Sequence, residues 1–283
     1  MKKISNKDGF LLELLTELYP ELSHNKIKKY LKNKAVLVNG KPISKFDYLV
    51  KKGDSISIIK DILIQNKSLL PILYEDKDFL VIDKPSGLLS ISTDKESNLT
   101  AYHMMREYVK HKSSKNKIFI LHRLDRDTSG VLVFIKNYEL KLKLQDKWNQ
   151  LVKKRTYYAI VVGKPKSRSN YICYLKENRQ QKVYVTNDKE NGKKAITSFQ
   201  VLKSNDKYSL LEVSIDTGRK NQIRAVLSYL GYPVLGDTKY GIKKADRLYL
   251  HAARLLFINP VNSKFLDFKS SLPLEFKKIM KHG

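Results

Sequence analysis

One acidic residue within a run of basic ones is the first candidate for chemistry in this sequence. Residues 121–130 read LHRLDRDTSG and lead directly into the apolar run VLVFI at 131–135. Asp125 lies between Arg123 and Arg126, shortly before a Thr-Ser-Gly turn. A carboxylate can serve as a nucleophile or a general base, and flanking arginines attract anions. The run therefore indicates a single acidic catalytic group that acts on a polyanion.

The charge of the whole chain points to the same class of partner. The 283 residues include 55 Lys and Arg against 28 Asp and Glu, a formal net charge of +27. Such a field attracts phosphate-rich partners over a Debye length of ~8–10 Å. A basic balance alone also fits a solvated lysine surface or an anionic membrane, but nucleic acid is the leading partner class.

Other features of the composition exclude several classes of protein. No apolar run approaches the ~18–20 residues of a membrane span, and the first residues, MKKISNKD, lack the apolar segment of a signal peptide. The single cysteine, Cys173, allows neither an internal disulfide nor a thiolate metal cluster. We therefore expect a cytoplasmic protein with no membrane association and no metal.

A buried strand and its neighbours must position Asp125. The run at 131–135 predicts that strand, and residues 79–82 predict a second one that stops at the turn Lys-Pro-Ser-Gly. Polar residues 176–194 predict a hairpin with a mobile tip. Further strands are predicted at 156–162, 197–201 and 210–215, and helices at 99–110, 140–149, 222–230 and 274–280. Strands outnumber helices without regular alternation, which predicts an α+β fold with a mixed, mostly antiparallel sheet flanked by helices and loops.

The first ~60 residues predict a small module of their own, with both helices and strands. Apolar residues recur at helical spacing over 10–18, and a second helix begins at Ser23, a good N-cap. The Asn-Gly pair between apolar runs at 36–43 predicts a hairpin, and residues 55–59 predict a last strand. The second helix has one apolar face and one cationic face, and the cationic face includes Lys26, Lys28 and Lys29.

The run around Asp125 closely resembles the signature of RluA-type pseudouridine synthases, in which the Asp of Arg-Leu-Asp is catalytic. The match is specific, because RsuA-type relatives usually carry Gly rather than His before this triplet. The N-terminal module, above all the segment VLVNGK, resembles an S4 RNA-binding domain. The resemblance implies an S4-like domain at 1–62, a linker at 63–72 and a catalytic domain of pseudouridine synthase fold at 73–283. It also implies a monomer that needs no cofactor and no protein partner.

A tyrosine that stacks on the target base is implied by a second match. Residues 155–163 read RTYYAIVVG, a basic residue followed by Tyr, Ala, Val and Gly at every second position. Alternate residues of a strand share one face. By the family's pattern Tyr157, and not Tyr158, is therefore the active-site tyrosine.

An arginine that pairs with the catalytic aspartate is implied by the run DTGRKNQIR at 216–224. Its Thr-Gly turn introduces a helix, and Arg224 falls where the family places that arginine. An arginine within ~4–6 Å would lower the pKa of Asp125 by roughly 1–3 units. The chain departs from the family at Lys220-Asn221, where Thr-His is usual, and at Ala225-Val226, where Val-His is usual. Because Gln-Ile-Arg is intact, we expect activity to persist.

The function implied is isomerisation of specific uridines in RNA to pseudouridine, on a nucleotide flipped out of its helix. Asp125 would attack the sugar or the base, or remove a proton from the sugar. Large-subunit ribosomal RNA is the expected substrate, and transfer RNA is the second choice. Contacts with RNA are expected from Arg123, His122, Lys84, Lys26, Lys28 and Lys29.

Two alternatives have a sequence basis. Departures at Asn221 and Val226 are compatible with a catalytically silent protein that binds ribosomal RNA. A hydrolytic nucleosidase or glycosidase would also use carboxylates, but most such enzymes need a second one, and only Asp127 is close in sequence.

Overall fold

The computed structural model describes residues 2–32, 35–58, 70–91, 100–241 and 244–282. The chain forms two compact units, Met1–Leu69, here called the N-terminal unit, and Leu70–Gly283, the large unit. Most of the predicted linker 63–72 lies outside the described residues, but its last residue, Ile72, begins a strand of the large unit. Among the helices described, none is long and apolar enough to cross a membrane.

The N-terminal unit packs two helices on a small sheet. Ile27 and Leu31 of the second helix are buried with Leu14 and Leu15 of the first, as the apolar spacing predicts. Four strands form the main sheet in the order β1-β6-β3-β4, and β2 pairs with β5. In chain order its elements are β1 (Lys2–Ile4), β2 (Gly9–Phe10), α1 (Leu11–Leu18), α2 (His24–Lys32), β3 (Val36–Val38), β4 (Lys41–Ile43), β5 (Leu49–Val50) and β6 (Ser55–Ile58).

The turn between β3 and β4 follows from its sequence. Asn39 and Gly40 both have positive φ, 50° and 79°. A two-residue hairpin turn of type I′ requires this conformation at both positions, and Asn-Gly adopts it at low cost.

The large unit is built on one extended sheet flanked by helices. Its elements in chain order are β7 (Ile72–Glu75), β8 (Phe79–Lys84), α3 (Ala101–Lys112), β9 (Phe119–Ile120), β10 (Ser129–Ile135), α4 (Tyr138–Asp146), α5 (Trp148–Leu151), β11 (Val152–Val162), β12 (Arg168–Glu177), β13 (Val183–Thr186), β14 (Lys193–Ser204), β15 (Tyr208–Ile215), α6 (Gln222–Tyr229), β16 (Leu250–Ile258), β17 (Phe265–Lys269) and α7 (Leu274–His282).

The sheet has eleven strands and is mixed. Nine follow the order β13-β12-β14-β15-β11-β16-β10-β8-β7, while β17 pairs with β16 and β9 with β10. Among the ladders described, β10 and β16 run parallel and the others are antiparallel. The predicted α+β class with a mostly antiparallel sheet is confirmed.

Strand β10 is apolar throughout because both of its faces are covered. Leu132 and Phe134 pack in one layer with Met105 of α3. Val131 and Val133 alternate into the opposite layer, where α4 contributes Leu140 and Leu144. Alternate residues of a strand point to opposite faces, so a strand covered on both sides reads as an unbroken hydrophobic run rather than an alternating one.

Candidate active site

Asp125 lies on the loop at 121–128, between β9 and β10. Its backbone carbonyl accepts a hydrogen bond from the Thr128 N–H at 3.2 Å, which closes a turn directly after it. The loop forms part of the wall of a cleft of about 720 Å³ in the large unit. The side chain of Asp125 is 33% exposed there, so it is accessible to a ligand.

A glycine fixes where this loop enters the sheet. Gly130 has a φ of +114° and pairs with Ala252 of β16. A Cβ at position 130 would lie 2.2 Å from the carbonyl oxygen of Ala252, a distance that no side chain tolerates. Only glycine permits both this backbone conformation and this approach.

Arg224 of helix α6 connects Asp125 with a second, fully buried carboxylate. Its Nη1 lies 3.9 Å from Asp125 Oδ2. Its Nε and Nη2 donate to Asp237 at 2.7 and 2.8 Å, a bidentate pair. The Asp237 carboxylate also accepts the backbone N–H groups of Lys239 and Tyr240 at 2.9 Å each. Asp237 therefore fixes Arg224 through Nε and Nη2, while Nη1 faces Asp125.

The protonation of this pair follows from its surroundings. Burial raises the pKa of Asp237, but hydrogen bonds and charge from Arg224 outweigh it and leave that pKa below its usual value. Burial lowers the pKa of Arg224, and the bonds to Asp237 more than reverse this effect. Both groups are therefore charged at neutral pH, and Arg224 is a fixed cation beside Asp125.

Asn221 takes a defined place beside Arg224. It occupies the left-handed conformation before α6, with φ 52° and ψ 22°. Its Oδ1 accepts a hydrogen bond from Arg224 Nη1 at 3.1 Å. The departure from the family's usual histidine thus leaves a residue that supports the arginine.

Gln222 organises the loop before α6. Its Oε1 accepts from the Thr217 hydroxyl at 2.8 Å and from the Arg219 N–H at 3.1 Å. Its Nε2 donates to the carbonyl of Ile196 on β14 at 2.9 Å. The side chain thereby ties the cleft-lining loop to the sheet.

Tyr157 lies on β11 and reaches the cleft, where it packs between two core layers. It pairs with Ala252 of β16, the residue that faces Gly130 across the next ladder. The β10–β16–β11 order thus brings Tyr157 and Asp125 to one cleft. Burial, assisted by the charge of Asp125 and opposed by that of Arg155, raises the pKa of Tyr157 to about 12. Tyr158 points away, into the layer packed against α7.

Arg155 is a cleft residue that sequence reasoning did not assign a role. One of its terminal nitrogens donates to the carbonyl of Asp216 at 2.6 Å. Its Nε is buried and has no hydrogen-bond partner among the described residues. Burial lowers the pKa of this guanidinium. A buried donor without a partner is costly in a folded protein.

The prediction that Lys84 contacts RNA is wrong. Its side chain is fully buried, with 0% exposure. Its Nζ donates to the carbonyls of Pro85, Leu88 and Arg126 at 2.9, 2.7 and 2.9 Å. All three donors of the ammonium are thus occupied by backbone. Burial lowers the pKa of Lys84 to about 7, against the charges of Asp127 and Asp125.

The segment that contains Lys84 holds the Asp125 loop from several sides. The hydroxyl of Ser90 donates to the carbonyl of Leu124 at 2.8 Å and accepts its N–H at 3.1 Å. The hydroxyl of Ser86 donates to the carbonyl of Asp127 at 2.7 Å. With the Lys84 bond to Arg126, these contacts fix the backbone on both sides of Asp125.

His122 lies in the wall of the cleft, where its ring stacks on Trp148 at 5.9 Å. Its Nε2 accepts the N–H of Val133 at 3.2 Å. Burial, and then the charge of Arg155, lowers the pKa of His122 to about 4, so the ring is neutral at physiological pH. An RNA contact by this histidine stays a prediction.

The remaining predicted RNA contacts lie in two places. Arg123 lines the cleft and is exposed. Lys26 and Lys28 are exposed on α2 of the N-terminal unit, whereas the side chain of Lys29 lies outside the described residues.

Cations outnumber carboxylates in the cleft. Two carboxylates line it, Asp125 and Asp216, together with the cationic side chains of Arg123, Arg155, Arg219, Lys220, Arg224 and Arg254. Such a wall favours a phosphate-bearing ligand. Asp127, the nearest carboxylate in sequence, is exposed and is not among the lining residues.

Comparisons with known proteins agree with the resemblance to pseudouridine synthases. The sequence matches the family described as RNA pseudouridylate synthase over residues 78–229. It is 34% identical over 285 residues to an uncharacterised RNA pseudouridine synthase of Mycoplasma pneumoniae, covering 95% of this chain and 89% of that relative. It is 31% identical over 293 residues to ribosomal large subunit pseudouridine synthase C of Rickettsia felis, covering 93% and 92%. The solved structure of human RNA pseudouridylate synthase domain containing 4 superposes with a TM-score of 0.61 at 26% identity, over 73% of this chain and 90% of that one.

Proposed function

Because this chain belongs to the RNA pseudouridylate synthase family and is an RNA pseudouridine synthase, we propose that it modifies uridines of large-subunit ribosomal RNA with Asp125 as the catalytic carboxylate. The observation that carries the assignment is the position of Asp125, accessible in a cationic cleft with Nη1 of Arg224 at 3.9 Å. The name of the Rickettsia relative supports the choice of RNA.

The reaction exchanges one bond of the uridine for another. The bond between C1′ and N1 breaks, the uracil turns within the pocket, and a bond forms between C1′ and C5. The proton on C5 leaves, and N1 takes up a proton, so the product is an isomer of the substrate. Asp125 starts the sequence by attacking the sugar or the base, or by removing a proton from the sugar. Arg224 keeps this carboxylate beside a fixed positive charge throughout.

The cleft must also hold a base that has left its helix. Unstacking costs a few kcal/mol, and contacts in the pocket must offset this cost. The aromatic ring of Tyr157 is the stacking surface for the extruded uracil. Arg155 lines the same cleft and adds positive charge beside the nucleotide. Arg123, exposed at the wall, contacts a neighbouring phosphate.

The N-terminal unit is proposed to be an S4-like RNA-binding domain. Its two helices pack on a small sheet, and α2 leaves Lys26 and Lys28 exposed while Ile27 and Leu31 are buried. Lysines on one helix face neutralise phosphates without reading sequence. We therefore expect this unit to add to the RNA affinity of the large unit, which carries out the chemistry.

Tritium release from RNA labelled at uridine C5 tests the assignment, with an unmodified large-subunit ribosomal RNA transcript as substrate and a transfer RNA transcript beside it. We expect release by the wild-type protein on ribosomal RNA. We expect a loss of roughly 10³-fold or more for Asp125→Asn, because the catalytic group itself is removed. Asp127→Asn is the matched control, since Asp127 is an exposed neighbour outside the cleft, and it should retain wild-type activity.

Filter binding of the same transcript separates catalysis from affinity. Asp125→Asn should bind RNA at least as tightly as the wild type. Equal tritium release by Asp125→Asn and the wild type would overturn the assignment. Tight binding by the wild type with no release on either RNA would instead favour a catalytically silent binding protein.

A further inference from the structure

A second groove of about 820 Å³ opens on the large unit and shares no lining residue with the candidate active-site cleft. We call it the lysine groove. Five of its ten lining residues are lysines, and two are aromatic. The lining residues are Glu75, Lys77, Val109, Lys112, Lys115, Asn116, Lys117, Phe119, Lys136 and Tyr138.

One carboxylate fixes two of the five lysines. Glu75 accepts from Lys136 at 2.6 Å and from Lys112 at 2.9 Å. The other three lysines are exposed and form no ion pair within the described part of the chain. These three, Lys77, Lys115 and Lys117, give the lining of the groove a surplus of positive charge.

An exposed aromatic surface lies beside these charges. Tyr138 is 54% exposed. Its ring centroid lies 5.1 Å from that of Phe119, and Lys141 Nζ lies 5.6 Å from it on the helix that Tyr138 begins. Aromatic side chains among lysines are the surface that single-stranded nucleic acids use, with bases on the rings and phosphates on the cations. An acidic peptide would use the lysines but would leave the aromatic pair without a role.

The chain places this groove within reach of an RNA bound at Asp125. Phe119 begins β9, and only five residues separate it from Asp125. A fully extended chain spans at most ~3.3–3.6 Å per residue, so their Cα atoms lie no more than about 22 Å apart. β9 pairs with the Ile135 end of β10, while the active-site loop enters β10 at the Ser129 end. A few nucleotides cover that length.

We propose that the lysine groove binds the RNA strand that flanks the target uridine, with phosphates on Lys77, Lys115 and Lys117 and an unpaired base on Tyr138. The proposal rests on the proposed function, because the strand is part of the substrate of the cleft. It adds a second contact region on the large unit, which selects RNA by the presence of a single-stranded flank.

Binding and turnover of the large-subunit ribosomal RNA transcript test the groove across a range of KCl concentrations. The variants are Lys115→Gln/Lys117→Gln and Tyr138→Ala. The control is Lys203→Gln/Lys207→Gln, two exposed lysines near the β14–β15 turn. The double lysine variant should reduce the slope of log Kd against log salt by about 1.4, about 0.7 for each contact with a phosphate of a single strand. It should raise KM and leave kcat unchanged.

Tyr138→Ala should behave differently from the lysine variant. It should raise Kd about 5-fold or more by loss of base stacking, with an unchanged salt slope. If Tyr138 had only a structural role, Tyr138→Ala would lower the melting temperature without this selective loss of RNA affinity.

Three outcomes would overturn the proposal that the lysine groove binds RNA. The first is a double lysine variant with the same salt slope as the control, and the second is a fall in its kcat with constant KM. The third is polyglutamate that competes for the groove as well as RNA does. If the wild type binds the transcript but releases no tritium, the proposed function fails. If the groove variants still lose affinity for RNA in that case, the result would support RNA binding by the lysine groove even though the proposed reaction fails.

Discussion

Arg224 and Asp237 form a buried ion pair joined by two hydrogen bonds, Nε to Oδ2 at 2.7 Å and Nη2 to Oδ1 at 2.8 Å. Asp237 is fully buried and Arg224 nearly so. A bidentate pair fixes the plane of the guanidinium as well as its position. We therefore expect Asp237 to act as a positioning residue for Asp125, through Arg224.

Breaking this pair should cost far more than breaking an exposed one of the same geometry. Asp237→Asn leaves a buried charge without its partner, and we expect a loss of about 3–5 kcal/mol in the free energy of unfolding. Asp267→Asn is the matched control, because Arg254 and Asp267 form a bidentate pair at 2.6 and 2.9 Å with about 30% exposure each. It should cost less than about 1 kcal/mol. Urea denaturation measures both, and similar losses would contradict the burial of the Arg224–Asp237 pair.

The turnover of Asp237→Asn gives a second readout. Its kcat should fall while its affinity for RNA stays near that of the wild type, because the displaced guanidinium supports Asp125 rather than the RNA backbone. Single-turnover tritium release at a temperature where both proteins are folded measures this difference.

Lys84→Met tests whether the buried lysine acts on the loop or on RNA. Three backbone carbonyls lose their donor, and each unsatisfied buried group costs about 1–3 kcal/mol, partly offset by removal of a desolvated charge. We expect lower stability and lower kcat, with an unchanged salt dependence of RNA binding. The exposed Lys203→Met should change none of these. A smaller salt slope in Lys84→Met would contradict the buried position.

The sequence was informative where a local pattern determines the structure. The continuous apolar runs at 79–82 and 131–135 predicted β8 and β10, since strands covered on both faces have no alternation to detect. The predicted hairpin over residues 176–194 coincides with the antiparallel pairing of the end of β12 with β13, whereas most of β12, and β16 and β17, were not predicted as strands. Within β16 the run LHAARLLFI mixes small, polar and apolar residues, and its pairing with β11 on one side and with β10 and β17 on the other makes it an interior strand.

In the candidate site, too, the sequence pointed to residues in local motifs and missed contacts between distant ones. Asp125, Tyr157 and Arg224 line one cleft, and their roles there stay proposals. The role of Asp237 was missed because it depends on a contact across thirteen residues of chain. The burial of Lys84 was missed because its acceptor at Arg126 is forty-two residues away. A Lys-Pro-Ser-Gly turn has the composition of a surface loop, and only the tertiary structure brings the carbonyl of Arg126 to its lysine.

Tyr157 should remain a neutral phenol across the working range of the enzyme. With a pKa raised to about 12, its titration should produce no change in kcat below about pH 11. Tyr157→Phe keeps the stacking ring, so we expect RNA affinity within about twofold of the wild type. A proton-relay role for the hydroxyl predicts a fall in kcat of roughly 10²-fold. Tyr158→Phe, on the opposite face of β11, should show wild-type rates, and an undiminished kcat in Tyr157→Phe would limit Tyr157 to stacking.

A buried chain of hydrogen bonds that joins β10 and β16 should make the free energy of unfolding depend on pH. The Ser270 hydroxyl donates to Asp83 at 2.9 Å, so it must accept from His251 Nε2 at 3.0 Å. His251 Nδ1 is then the acceptor for Ser129 at 2.8 Å. Protonation of the ring removes that acceptor. Burial, and then the charge of Arg247, lowers the pKa of His251 from 6.5 to about 4.

The sign follows from this lowered pKa. Between pH 6.5 and about 4 the unfolded chain binds a proton at His251 and the folded chain does not. The contribution of this histidine to the free energy of unfolding is therefore fully present above pH 6.5 and is lost as the pH falls to about 4. The loss amounts to roughly 3 kcal/mol. His251→Gln should show a shallower acid slope in urea denaturation, whereas the exposed His111→Gln should follow the wild type. Parallel slopes for His251→Gln and the wild type would contradict a neutral buried ring.

The lysines of α2 give the last prediction, which concerns the N-terminal unit alone. If Lys26 and Lys28 neutralise phosphates, each alanine substitution should reduce the slope of log Kd against log salt by about 1 and weaken binding evenly across RNA sequences. Lys45→Ala, at an exposed lysine outside α2, should leave the slope unchanged. Because Ile27 and Leu31 supply the packing of this helix, melting temperatures should stay constant. Unchanged slopes in both variants would mean that the cationic face of α2 is only solvated, and RNA affinity would then have to come from the large unit.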